Sequence, residues 1–152
     1  MITTRLWHID LIEYLPKSQL IAQWRELNSI FKKQDNHILI NYVYYNYNAL
    51  RNYTEKVIKE FAKRKIKIRS FVNEINFFAR VGINIHDIHN AKFKEHDYDY
   101  LTICYYNLKE KYLRGQKDFT KDVWDKLDRF YQRKMFEIAL KTRIRSLKKC
   151  FG

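Results

Sequence analysis

The sequence predicts an all-α fold, with about five helices joined by long irregular loops. The 152 residues include only three glycines and one proline, which leaves little of the turn chemistry that a many-stranded sheet requires. Apolar residues recur instead at the 3.6-residue spacing of a helix face. The composition, 46% hydrophobic and 31% charged, is typical of a folded chain. At this length we expect one compact domain spanning residues 1–152.

The first predicted helix runs from about Ser18 to Phe31, with Ser18 as its N-cap. On its polar side Arg25 and Glu26 lie on opposite flanks of a shallow strip of small residues. A lone carboxylate among cations indicates a surface that a bulky anion approaches closely. The alternative is a solvated helix face with an incidental Arg–Glu pair. The apolar stripe of this helix consists of Leu20, Trp24, Leu27 and Phe31.

Four further helices are predicted along the chain. The second begins near Asn46 or Asn48 and ends at the basic run 63–65, and the third runs from Ser70 to Gly82. The fourth runs from about Asp99 to Leu113, and the fifth begins near Thr120 and ends in a basic tail. Residues 37–47 are rich in β-branched and aromatic side chains, so the pattern leaves open a buried extended segment or the start of a helix. Residues 83–96 are predicted to form a loop.

The formal net charge of +13, with a pI near 9.7, makes a polyanion the first partner to consider. Basic clusters at 63–69 and 141–149, together with Arg5 and Arg25, suit phosphate contacts. Tyrosines and tryptophans are numerous enough to stack on bases. These features favour nucleic-acid binding. The alternative is a solvated surface whose lysine content reflects a biased coding composition.

Other classes of function find less support. Cys104 and Cys150 lack a short metal-type spacing and fit a reducing compartment. The N-terminus has no signal-type apolar core, so we expect a cytoplasmic protein without a membrane span. The sequence contains no phosphate-binding or dinucleotide glycine motif and no nucleophile elbow. A metal-dependent enzyme using His86, His89 and His96 remains a third hypothesis, although their spacing matches no ligand motif.

The stretch RLWHIDLIEYLPKSQLIAQWREL, residues 5–27, resembles the start of the pyrimidine-dimer DNA glycosylase family, also called the endonuclease V type. An Arg-Leu-Trp-His opening, a Leu-Pro-x-x-x-Leu segment and an Arg-Glu pair follow one another in the order of its bacterial branch. His37 followed by Asn41-Tyr42-Val43, and a helix ending in a Lys/Arg run, are similar to later blocks. The resemblance covers residues 4–69 and is loose beyond. The matching positions of the first blocks are Arg5, Leu6, Trp7, His8, Leu15, Pro16, Leu20, Arg25 and Glu26.

The resemblance implies a monomeric, all-helical repair enzyme that acts on damaged pyrimidines in double-stranded DNA without metal or other cofactor. In the family a terminal amine attacks the anomeric carbon and forms an imine, and β-elimination then nicks the strand. A terminal amine suits this role, because its pKa near 7.7–8.0 leaves about a tenth of it neutral at pH 7. Glu26 matches the family acid that stabilises the developing positive charge. The expected DNA contacts are Arg5, Arg25, His8, His37, Lys63, Arg64 and Lys65.

Two departures from the family pattern bear on the mechanism. Ser29 occupies the position of a third basic residue in the phage enzymes. Thr4 matches the family's terminal nucleophile but is preceded here by Met1-Ile2-Thr3. We expect this extension to fold back so that Met1 supplies the amine; a different mature start, a substituting lysine or a lost lyase step are the alternatives. The rival function is a non-catalytic nucleic-acid-binding protein of the same fold.

Overall fold

The structure, a computed structural model, describes residues 6–33, 41–83 and 91–151. Within these ranges it contains helices and no strand, which confirms the predicted all-α class. Two short 3-10 helices cover Ile9–Tyr14 and Asn41–Tyr45, so the described part of the ambiguous segment is helical. The long helices are α1 (Lys17–Lys33), α2 (Tyr47–Lys63), α3 (Val72–Val81), α4 (Tyr98–Leu113) and α5 (Lys121–Phe151).

Helix α1 lies at the centre of the first half of the chain. It packs against α2 and α3, while the 3-10 helix Ile9–Tyr14 packs on α2 and α5, and α4 packs on α5. The predicted apolar stripe of α1 faces this core: Leu20, Leu27 and Phe31 are buried, and Trp24 is partly buried against them. Burying a side chain of this size contributes about 1.5–3 kcal/mol. The polar side of α1 is therefore left facing outward.

The start of α1 is held by a residue from the second half of the chain. The predicted N-cap at Ser18 is wrong, because the helix begins at Lys17 and Ser18 lies in its first turn. Asp118 instead accepts hydrogen bonds from the Ser18 backbone N–H (2.6 Å) and hydroxyl (2.8 Å). Partial burial would raise the pKa of the Asp118 carboxyl, but its hydrogen bonds outweigh that effect and lower the pKa. The connection between α4 and α5 is thereby tied to α1.

Other helix ends follow the sequence closely. Asn46 caps α2, its side chain accepting a hydrogen bond from a first-turn N–H at 2.9 Å. Gly82 ends α3 in the left-handed conformation (φ 72°), as predicted. Helix α4 begins one residue before the predicted Asp99, because Asp97 is the cap. Asp97 and Asp99 are equally good cap residues by type, so the sequence does not choose between them. The hydrogen bond that the Asp97 side chain accepts from the Tyr100 N–H identifies Asp97 as the cap.

Arg64 joins the end of α2 to the 3-10 helix Ile9–Tyr14. Its guanidinium donates to the Glu60 carboxylate (2.8 Å) and to the backbone carbonyls of Leu15 (2.7 Å) and Glu13 (2.9 Å). The segment that precedes α1 is therefore fixed against α2 by one side chain.

Lys65 follows in the left-handed conformation, with φ 58°. A side chain with a Cβ pays roughly 1–2 kcal/mol there, and glycine does not. We expect Lys65→Gly to raise the free energy of unfolding by about 0.5–1 kcal/mol, after the greater entropy of glycine in the unfolded chain is subtracted. Urea unfolding measures this change. Lys65→Ala, which keeps the Cβ, should give no such gain, and an equal gain in both variants would contradict the explanation.

Helix α5 is unusually long, 31 residues or about 46 Å. Its first half packs on the body of the protein, with Leu127 and Tyr131 buried. Every residue from 139 to 151 is exposed. Across the described residues, we find no helix whose length and apolar character would let it cross a membrane.

Candidate nucleic-acid interface

A cleft of about 390 Å³ lies between α1 and α4 and contains Glu26. Glu26 is half-buried there, beside the small Ala22 and next to Trp7 of the N-terminal segment. The lone acid predicted on the polar side of α1 thus sits in a concave site. The full lining is Trp7, Gln19, Ala22, Gln23, Glu26, Asn107, Glu110, Lys111 and Arg114.

Buried hydrogen bonds hold the N-terminal segment against this cleft. The Trp7 backbone N–H donates to Gln23 Oε1 (2.8 Å), and the Tyr53 hydroxyl donates to the Trp7 carbonyl (2.8 Å). The Tyr100 hydroxyl donates to the Leu6 carbonyl. Burial raises the pKa of Tyr53 well above its usual range, so this hydroxyl remains a donor. The backbone at residues 6–7 is therefore fixed from both sides.

The N-terminal end of the described chain lies at the cleft, because Trp7 lines it. Met1, Thr4 and Arg5 lie outside the described residues. Thr4 is three residues before Trp7 and Met1 is six, and six residues span at most about 20 Å when fully extended. This span limits how far an amine at either position can lie from Trp7.

The second wall of the cleft comes from α4, and sequence analysis missed it. Asn107, Glu110, Lys111 and Arg114 line it, and Glu110 pairs with Arg114 at 2.5 Å. The spacing i, i+3, i+4, i+7 places all four on one helix face. That polar stripe is the signal in the sequence that could have indicated this face. Lys111 and Arg114 place positive charge opposite the polar side of α1, which lacks a basic residue at Ser29.

A basic strip lies along the other side of α1. Residues 65–69 follow α2, and their side chains alternate: Lys65, Lys67 and Arg69 are exposed, whereas Ile66 and Ile68 pack against the core. The strip begins where Arg64 holds Leu15 and ends beside Phe71. The Phe71 ring meets Trp24 of α1 at 6.0 Å between centroids. Successive exposed side chains in an extended segment are about 6.6 Å apart.

Arg25 is exposed on the surface of α1 between this strip and the cleft. One helix position is about 100°, so Arg25 lies between Trp24, which faces the strip, and Glu26, which faces α4. Lys17 and Lys32 are exposed on the same outer side. The described surface therefore runs from a basic strip, across a basic helix face, to a cleft that contains an acid.

Two of the predicted DNA-contact residues are engaged inside the protein. His8 is 3% exposed, and its Nδ1 accepts a hydrogen bond from the Asp10 N–H at 3.1 Å, capping the 3-10 helix. Arg64 is bound as described above, whereas its neighbours Lys63 and Lys65 are exposed. DNA contact by these four residues stays a prediction, and His37 lies outside the described residues.

His96 packs in an aromatic cluster of the described residues. Its Nε2 is 2.7 Å from the Tyr42 hydroxyl, and its ring stacks on Tyr100 (5.0 Å between centroids) and His8 (5.5 Å). Burial, with a smaller contribution from His8, lowers the pKa of His96 to about 3, so the ring is neutral at pH 7. His86 and His89 lie outside the described residues. Among the residues described, no three His, Cys, Asp or Glu side chains are grouped to hold a metal.

The described residues form a basic, all-helical protein in which a cleft containing Glu26 adjoins a cationic helix face, an arrangement that suits a polyanionic partner. Comparison with protein families makes this more specific: a family model of pyrimidine dimer DNA glycosylases matches residues 4–74. The resemblance predicted from residues 4–69 is thereby confirmed. The match includes Arg25, Glu26 and the basic strip, and it ends before α4. No curated protein and no solved structure matches the chain.

Proposed function

We propose that this protein removes pyrimidine dimers from double-stranded DNA as a glycosylase and then nicks the abasic site as a lyase. The family match supports the general glycosylase function. The observation that carries the finer proposal is the cleft itself, where Trp7, six residues from the start of the sequence, and Glu26 line one wall. Such an arrangement would present an amine nucleophile and an acid to one reacting nucleotide.

In the proposed reaction a neutral amine at the start of the chain attacks the anomeric carbon of the damaged nucleotide. The glycosidic bond breaks and its electron pair goes to the base, which stays joined to the neighbouring pyrimidine through the dimer. Glu26 stabilises the positive charge that develops on the sugar and moves a proton as the ring opens to the imine. β-Elimination then expels the phosphate on the 3′ side. Neither step requires a metal or a cofactor.

The DNA grip is proposed to involve both sides of α1. Arg25 and the strip Lys65, Lys67 and Arg69 would hold backbone phosphates on one side of the lesion. Lys111 and Arg114 would hold them on the far wall of the cleft, where they replace the basic residue absent at Ser29. Arg5 is proposed as a further phosphate contact next to the nucleophile. The nucleotide must leave the stack to reach Glu26.

The alternative is a non-catalytic DNA-binding protein. The three residues that precede Thr4 favour it, because they displace the amine from the position that matches the family nucleophile. This alternative keeps the basic surface and its salt-dependent affinity, and it predicts no base release and no nicking.

We expect the purified protein to form a covalent adduct with an abasic-site duplex in the presence of borohydride, which reduces an imine to a stable amine. Peptide mapping of the adduct identifies the nitrogen that attacked. The proposal requires the label on the first residues of the chain, at Met1 or, after processing, at Thr4. N-terminal analysis of the same sample shows which of these two amines exists.

The matched control is Lys111→Arg. Lys111 is the lysine among the described lining residues, and arginine keeps its charge without supplying a nucleophilic amine. The variant should form as much adduct as the wild type. An adduct on Lys111 would overturn the terminal-amine assignment, and the absence of any adduct would favour the non-catalytic alternative.

A further inference from the structure

The exposed end of α5 forms an arm that the proposed cleft chemistry does not use. Residues 139–151 are all exposed, and they extend over about 20 Å of helix. They include Lys141, Arg143, Arg145, Lys148 and Lys149 and no acidic residue. Such an arm makes few contacts with the rest of the described protein, so its charge is available to a partner.

The cations of the arm are arranged in a stripe. At about 100° per residue, Lys134, Lys141, Arg145 and Lys148 fall within roughly 60° of one another. The stripe is about 21 Å long, 14 residues at 1.5 Å each. It continues the side of α5 that carries Leu127 and Tyr131, which are buried against the body. The stripe therefore faces the same side as the protein body.

The base of the stripe meets a depression of mixed charge on the body. Lys134 and Lys92 line it together with Asp10 and Asp97, and Lys134 also pairs with Glu137 at 3.9 Å. The unopposed positive charge of the stripe therefore lies farther along the arm, at Lys141, Arg145 and Lys148, where residues 139–151 include no acid. The arm is also distant from the cleft, because α4 and α5 are antiparallel. Tyr105 of α4 hydrogen-bonds Asp128 at 2.5 Å, whereas Thr102 pairs with Tyr131 at 3.0 Å.

We propose that this stripe is a second DNA-binding surface, which contacts backbone phosphates of undamaged duplex beside the site that holds the lesion. The proposal rests on the proposed function for the identity of the polyanion. The stripe would add affinity for DNA of any sequence, damaged or not. Lysine and arginine on a helix surface contact phosphates without reading bases.

A second side of the arm is apolar and suggests two other occupants. Phe136, Leu140, Ile144 and Leu147 are exposed there, centred about 110° from the basic stripe. A lipid surface that covered this side would meet the basic stripe at its edge, and vesicle binding in the test below distinguishes it from DNA. A second copy of the chain would bring two uniformly positive arms together, so charge favours DNA over a dimer.

The test is the salt dependence of affinity for an undamaged duplex, measured by fluorescence anisotropy with a Lys141→Gln, Arg145→Gln, Lys148→Gln variant. Each lost phosphate contact lowers the slope of log affinity against log salt by about 0.9. We expect the magnitude of the slope to fall by about 2–3. Because no damaged base is present, this result is independent of the glycosylase and lyase chemistry.

The matched control removes three charges from the other side of the same helix, with Lys126→Gln, Arg129→Gln and Arg143→Gln. These side chains are exposed and lie outside the stripe. Circular dichroism checks that both variants remain helical. An unchanged slope in the stripe variant, or an equal fall in both variants, would overturn the proposal. Two other results would overturn it if the DNA slope were unchanged. One is binding to phosphatidylglycerol vesicles that depends on the stripe, and the other is a dimer that Leu140→Ser and Leu147→Ser abolish.

Discussion

Glu26→Gln should lower the rate of base release from a dimer-containing duplex by at least about 100-fold. The substitution keeps the size of the side chain and its place on the cleft wall. It removes the negative charge that we propose stabilises the positive charge developing on the sugar in the transition state. Affinity for the same duplex should change by less than about threefold, because the basic strip and the cations of α4 are intact. Single-turnover cleavage and anisotropy measure the two quantities separately.

Glu110→Gln provides a matched control in the same cleft. It makes the same chemical change on the opposite wall, where Glu110 is exposed and pairs with Arg114. An exposed ion pair of this kind contributes little, so base release should remain within a few-fold of wild type. Equal losses in the two variants would mean that the net charge of the cleft matters, and not Glu26 as an individual acid.

Acid should destabilise the protein through His96 well above the range in which most carboxyl groups titrate. Burial lowers the pKa of His96 to about 3, whereas in the unfolded chain it is near 6.5. As the pH falls below 6.5, the unfolded state binds a proton that the folded state does not. The stability is therefore complete above pH 6.5 and is lost progressively toward pH 3. Between pH 7 and pH 5 the free energy of unfolding should fall by about 2 kcal/mol.

Urea unfolding at the two pH values measures this loss, and His96→Gln tests its source. The variant should be less stable at pH 7, because the Tyr42 hydroxyl loses its partner ring, yet most of the pH dependence in this window should disappear. A smaller dependence should remain from His8, whose pKa burial also lowers despite the opposing charge of Asp10. A variant as sensitive to acid as the wild type would refute the assignment.

Much of the fold was predictable because each local signal had one physical meaning. Gly82 supplied a left-handed residue, Asn46 a cap and the stripe of α1 a buried face, and the structure uses all three as expected. Ser18 was mistaken for a cap because a hydroxyl at a helix start is a local signal. The group that binds this helix start, Asp118, is 100 residues away in the sequence.

For the same reason, the part of the candidate site on α1 was predicted and the part on α4 was not. Glu26 and Arg25 stand next to one another, so their position on α1 followed from helical spacing alone. Lys111 and Arg114 belong to the site only because α4 lies across the cleft from α1. The polar stripe of α4 can be found in the sequence, but its position opposite α1 cannot. Two residues predicted to contact DNA instead hold the backbone of the protein. Arg64 lies in the basic run but binds the carbonyls of Leu15 and Glu13, and His8 lies in the family-like block but caps a 3-10 helix.

The link between Ser18 and Asp118 has a consequence for how the cleft is divided along the chain. The segment that matches the glycosylase family ends at residue 74, yet the far wall of the cleft is supplied by residues 107–114. The hydrogen bonds from Ser18 to Asp118 tie the connection that follows this wall to the start of α1. We therefore expect that the matched segment, grafted onto another scaffold, would carry Glu26 without the wall that faces it.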